Sequence, residues 1–289
     1  MAESPSHKFG QLIGNLLEEL IAPPLKEFAK QNGLFLDHQK ISRPARKGKK
    51  VTWQDQYGNL HDLDYVLEQH GTSGKLGTPV AFIEVAWRRY TKHSRNKAQE
   101  IQGAILPLAE KYKWSTPFLG AVLAGVFTEG SLEQLRSLGF HVLYLPYESI
   151  VAAFASININ VQFEENTPDD IFTKCVNQLE KASKASIQKA KEKLRASNKV
   201  EIDFFIASLK KRFDRMVNKV TIIPLYGHSN EFASINEALQ FLDDYCVYEG
   251  SGNFRKYELY VSFTNGDKLE GTFADKTKVR DFLHFIALH

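Results

Sequence analysis

Residues 79–103 read PVAFIEVAWRRYTKHSRNKAQEIQG, and this stretch decides the fold. Val80, Phe82, Ile83 and Val85 make an apolar strand with one carboxylate, Glu84, inside it. A charge in so apolar a strand is costly unless a metal ion or a proton neutralises it. A basic turn follows, and then residues 94–112 have helical periodicity, with Ala98, Ile101, Ile105, Leu108 and Tyr112 on the core face. About twenty residues upstream a second acid, Asp64, stands in a similar setting, LDYVL. Two acids on neighbouring strands, followed by cationic groups, point to a divalent-metal site that acts on phosphate.

Outward from this stretch, residues 51–68 read as a hairpin. VTWQDQ is one strand, Tyr57, Gly58 and Asn59 the turn, and LHDLDYVLE the return. Alternation places His61, Leu63 and Tyr65 on one face and Asp62, Asp64 and Val66 on the other. Upstream, residues 9–30 read as a helix that Pro23 and Pro24 break or kink and Gly33 ends. Downstream, 118–127 and 140–145 are apolar strands, with short helices at 130–138 and 148–155. The fold class is therefore α/β, a mixed sheet flanked by helices.

Thr167 and Pro168 open a helical region, Lys- and Ala-rich, that runs to about Val217. Residues 220–225, 256–263 and 268–273 read as strands, the last two paired across Asn265 and Gly266, with helices at 235–245 and 276–288. The expected organisation is a core over 1–165, a basic helical region over 166–219 and a small α+β unit over 220–289.

Composition narrows the function. At 43% hydrophobic and 25% charged, the 289 residues can bury an ordinary core. A net charge of +3 does not itself imply nucleic acid, but its distribution is informative. Six basic residues and no acid lie in 40–50, five and none in 88–97, and twelve against four acids in 181–219, whereas 224–289 holds ten acids against six bases, so the basic charge lies in three blocks and the C-terminal end is acidic. Two distant cysteines exclude a structural zinc cage, argue against a disulfide framework, and fit a reducing cytoplasm. No apolar signal core opens the sequence and no run is long enough to span a membrane. His61 and His93 lack an HNH or H-x-H grouping, which argues against a histidine nuclease.

With Asp64, Glu84 and the helix after them in place, the region 10–145 resembles the PD-(D/E)XK nuclease superfamily, the fold of many restriction endonucleases. The resemblance implies a restriction-endonuclease-like sheet in a prokaryotic cytoplasmic protein. It implies that Asp64, Glu84 and the Val85 carbonyl bind Mg²⁺, with Mn²⁺ as a substitute, and that Glu18 is the extra helix acid some members add. The motif lysine is replaced by Ala86 in Glu84-Val85-Ala86. Lys97 is the preferred relocated lysine, making Asp64, Glu84 and Lys97 the catalytic set. Arg88 lies one side-chain step beyond Ala86 on the same strand face. It joins Arg89, Lys92, Arg43, Arg46 and Lys47 as candidate phosphate or DNA contacts, while Gln99 and Glu100 are candidates for the layer around the metal ligands. The expected function is a Mg²⁺-dependent Type II restriction endonuclease, a homodimer on duplex DNA. A repair or phage-defence nuclease of the same fold, or a DNA-binding module without catalysis, are the alternatives.

Overall fold

The computed structural model describes residues 4–46, 48–91, 94–214, 216–224, 228–246 and 256–288. The chain divides into two compact units, Met1–Ser208 and Leu209–His289.

The first unit opens with helix α1 (Pro5–Gln31). Ser4 caps it by accepting the His7 N–H at 3.2 Å, and Pro5 occupies the first turn, where no N–H is needed. Pro23 and Pro24, expected to break or kink the helix, lie inside it. Buried Leu20, Ile21, Leu25 and Phe28 flank the pair. Their packing offsets the missing N–H donors, because tertiary burial outweighs local propensity.

The central sheet has five strands: β1 (Phe35–His38), β4 (Tyr65–Gln69), β5 (Thr78–Arg88), β6 (Phe118–Gly125) and β7 (His141–Pro146), side by side in that order. The first two pairings are antiparallel and the last two parallel. Parallel neighbours need crossovers. Helices α2 (Ser94–Lys111) and α3 (Glu129–Ser137) supply them. The architecture is thus mixed α/β, a mixed sheet with helices on both faces. Phe82, Ala86, Ala121 and Leu123 of one face pack against Ala98, Ile101, Ile105 and Leu108 of α2. Trp87 points the other way, edge-on to Phe9 of α1 at 6.5 Å.

The 51–68 segment departs from the expected hairpin. β2 (Val51–Gln54) pairs with β3 (Leu60–Leu63) across the turn, where Gly58 takes φ +90°. The return strand does not continue. The chain bends at Asp64, and β4 leaves the hairpin to join the central sheet. Leu63 and Val66 consequently share one core cluster, and Tyr65 faces α1, its hydroxyl donating to the Glu18 carbonyl at 2.7 Å. The predicted grouping of Leu63 with Tyr65 fails because alternation holds only within one unbroken strand.

Helix α4 (Tyr147–Ala155) follows β7, and α5 (Asp169–Lys181), α6 (Lys184–Ser197) and α7 (Lys199–Phe213) come next. Pro168 is the cap residue of α5 rather than its first helical residue. Buried Phe172, Leu179, Ala190 and Leu194 bring α5 and α6 onto the first unit, against α1 and α4, so the basic helices up to Ser208 belong to that unit. The second unit holds β8 (Val217–Pro224), β9 (Asn230–Phe232), α8 (Ile235–Asp244), β10 (Tyr257–Phe263), β11 (Lys268–Phe273) and α9 (Lys276–Leu288). Its antiparallel sheet runs β11-β10-β8-β9, and α8 and α9 bury Ala238, Leu242, Val279 and Leu283 with it. No helix among the described residues is long and apolar enough to cross a membrane.

Candidate functional site

The bend at Asp64 creates the site. β4 begins at Tyr65, paired with Ile83 of β5. Beyond that pair β5 continues to Arg88 with a partner only on the β6 side. The free edge is capped by a side chain: Asp64 Oδ2 accepts the Val85 N–H at 2.7 Å. In an extended strand a residue's N–H and C=O leave by the same edge, so the Val85 carbonyl faces the Asp64 side. Glu84 points from β5 toward the α2 face, between Phe82 and Ala86, and is buried.

Glu84 Oε1 has no hydrogen-bond partner among the described residues and is shielded from solvent. A buried carboxylate oxygen without a donor is rare and calls for an ion or a proton. Burial raises the proton affinity of Glu84 well above the ordinary carboxylate range, and the negative charge of Asp64 adds to it, while Lys97 pulls the other way. Asp64 is raised too, chiefly by burial and then by Glu18, and its bond from Val85 and the charge of Lys97 oppose the rise. Two carboxylates that repel each other in a dry setting favour any cation placed between them.

Lys97 stands in the first turn of α2, and its charge is felt by both Asp64 and Glu84. Its ammonium also meets Glu100 Oε2 at 3.2 Å, and the same carboxylate oxygen lies 3.8 Å from Arg88. Arg88, Lys97 and Glu100 therefore form a charged group beside the carboxylate pair. Ala86 is buried in the core cluster with α2.

Other predicted residues go elsewhere. The Glu18 carboxylate accepts from Gln39 Nε2 at 3.1 Å at both oxygens and has Lys40 at 3.7 Å, so it neighbours the pair without converging on it. Among the described residues no three His, Cys, Asp or Glu side chains gather as a metal cage. Gln99 is exposed. Arg89 lies on the opposite strand face, its guanidinium 4.1 Å above the Phe172 ring and 4.3 Å above Tyr90, so it packs against α5 instead of facing phosphate. Asp62 pairs with Lys50 and Thr52 on the hairpin surface. Lys92 and Lys47 lie outside the described residues.

Arg43 and Arg46, expected to face DNA, are interior residues. Arg43 is fully enclosed and bonds Glu68 through both terminal nitrogens, Asp37 at 2.8 Å, and the carbonyls of Thr72 and Lys75. Arg46 bonds Asp37 and the carbonyls of His38, Ile41 and Gly48. Two cations and two acids balance in this buried network, which ties residues 39–50 to β1 and β4. Sequence reading overlooked Asp37 and Glu68. Their one signal was an acid inside FLDH and one inside YVLEQ, short segments otherwise suited to strands.

The donor set suits a hard divalent cation, since two carboxylates and a backbone carbonyl are all oxygen. No family model and no curated protein matches the chain. Among solved structures, a protein of unknown function, AF1548, is similar at 12% identity, covering 64% of this chain and 98% of that one, with a TM-score of 0.29. At that level the likeness carries no argument.

Proposed function

We propose that the first unit is a Mg²⁺-dependent endonuclease acting on duplex DNA, of the restriction-endonuclease-like kind. The observation that carries the reading is the pair of half-buried Asp64 and buried Glu84, with Glu84 Oε1 unpartnered among the described residues. The strand order, with an antiparallel pair carrying the acids and a parallel crossover through α2, supports the restriction-endonuclease-like assignment.

Asp64 and Glu84 would hold the ion, with the Val85 carbonyl as third ligand and Mn²⁺ able to replace Mg²⁺. The ion, when bound, supplies Lewis acidity at the phosphoryl oxygen. The chain's own groups do the rest. The Val85 N–H fixes the Asp64 carboxylate, so the acid meets its ligand without reorganising. Lys97 places a positive charge where negative charge grows on the scissile phosphate, and Arg88 extends that field along β5. Glu100 holds both cations in position. Recognition of a palindrome would require a two-fold dimer of the chain.

The test is incubation of a large duplex DNA with the protein, with and without Mg²⁺, beside Glu84→Ala. Discrete fragments that need Mg²⁺ and vanish in the variant are expected. A smear would instead favour a repair or defence nuclease of the same fold. Intact DNA with every divalent metal, while binding persists, would overturn catalysis and leave a DNA-binding module, the reading that Ala86 in the lysine position favours.

A further inference from the structure

Between α1, β1 and α6 of the first unit lies a cavity of about 430 Å³ that the carboxylate pair does not use. Its walls carry Lys26, Lys40, Lys191 and Arg195 against only Glu19 and Glu192. Glu19 is already engaged: Lys40 reaches one of its oxygens at 3.2 Å and Lys191 the other at 3.1 Å. Glu192 bonds Gln188. Positive charge is left over, and Lys26 has no ion-pair or hydrogen-bond partner among the described residues.

Two residues of this wall keep nitrogens without a partner among the described residues. Arg195 gives one terminal N–H to the Leu20 carbonyl at 2.8 Å, yet its Nε is buried with no partner among the described residues. His38 is 5% exposed, lies against the Tyr65 ring at 5.6 Å, and its Nδ1 is likewise buried without a partner among those residues. Buried polar nitrogens are nearly always satisfied, so two residues of this basic cavity wall keep unspent hydrogen-bonding capacity beside the surplus cations. Ala22, Pro23 and Ile41 supply an apolar wall beside the cations. An anion with a flat apolar portion fits this mixture of surfaces, and the volume suits a ligand of mononucleotide size.

We infer that this cavity binds the phosphate of a nucleotide, with Lys26, Arg195 and His38 around the phosphate and the apolar wall against the base. The ligand is a phosphomonoester, offered either by a free mononucleotide or by the 5′ end of a DNA strand. The site does not depend on the metal reading, since none of Asp64, Glu84 and Lys97 lines it.

The experiment is calorimetric titration of the full chain in EDTA, which removes any contribution from divalent ions. The probes are 2′-deoxyadenosine 5′-monophosphate and a 5′-phosphorylated single-stranded dodecamer, each beside its counterpart without the phosphate. At least one phosphorylated probe is expected to bind about tenfold or more tighter than its counterpart, as one charge-assisted contact supplies. Binding by the mononucleotide assigns the site to a small molecule, and binding by the dodecamer alone assigns it to a strand end. Lys26→Glu, at an exposed position, is expected to remove that about tenfold preference, as is His38→Phe, which keeps an aromatic ring beside Tyr65. Asp64→Asn is expected to leave it unchanged. Equal binding with and without the phosphate, or full preference retained in Lys26→Glu, overturns the inference.

Discussion

Replacing Glu84 by Gln tests the carboxylate pair without any assumption about DNA. The wild-type side chain is buried, its Oε1 is unpartnered and Asp64 lies beside it, so its folded-state proton affinity is raised. The sign follows from proton binding. Over the window between the ordinary carboxylate range and the raised folded value, the folded chain holds a proton that the unfolded chain has lost. Stability is therefore greatest at low pH within that window and falls as pH rises, by about 1.4 kcal/mol per pH unit for each such group. Asp64 adds a second contribution of the same sign. Glu84→Gln removes one carboxylate and relieves the other, so the decline should flatten and the variant should be more stable than the wild type in EDTA near neutral pH. Saturating Mg²⁺ should restore the wild type, by about 2.7 kcal/mol at a hundredfold excess over Kd, and should not affect the variant. Urea unfolding followed by tryptophan fluorescence, at stepped pH with EDTA or Mg²⁺, measures all four conditions. Wild-type stability that is flat from about pH 5 to 8 in EDTA, or an equal Mg²⁺ effect in Glu84→Gln, would refute the reasoning, because neither can coexist with a destabilised ionised pair that recruits a cation.

Three further outcomes follow from the geometry. Lys97→Ala should lower the Mg²⁺-dependent cleavage rate by about 10²–10³ with duplex binding within a few-fold of wild type, measured by single-turnover kinetics, since the charge is needed most as the phosphate becomes more negative. Arg43→Ala should lower unfolding free energy by about 3–5 kcal/mol, because it strands Asp37 and Glu68 in the interior, and Arg43→Lys should not rescue it, having no fork to span both acids and two carbonyls; denaturant melts report both. Gly125→Ala should destabilise by at least about 2 kcal/mol in the same assay, since φ is +96° there and an added Cβ would stand 2.0 Å from the Arg88 carbonyl, which accepts the Val126 N–H that ends the β5–β6 pairing.

Many elements of both units were legible because each carries its own period or turn signal. Apolar runs announced β5, β6 and β7, residues one turn apart announced the core face of α2, and in the second unit Asn265 with Gly266 announced the β10–β11 turn. The acids Asp64 and Glu84 were legible as a pair because charge inside apolar strands stands out without coordinates. What they do to each other was not. The bend at Asp64 ends one pairing and starts another, a decision made by the central sheet's need for a partner strand and invisible in LHDLDYVLE. Composition misled over Arg43 and Arg46. A run of cations reads as a solvated surface, yet Asp37, just upstream on β1, and Glu68, 25 residues beyond Arg43 on β4, turn two of those cations inward. Local sequence therefore determined which segments become strands and helices, because backbone preference and side-chain period act over a few residues. Tertiary structure alone decided which charges meet, which are enclosed, and which buried nitrogens and oxygens remain without partners, because desolvation and pairing depend on residues the chain brings together from far apart.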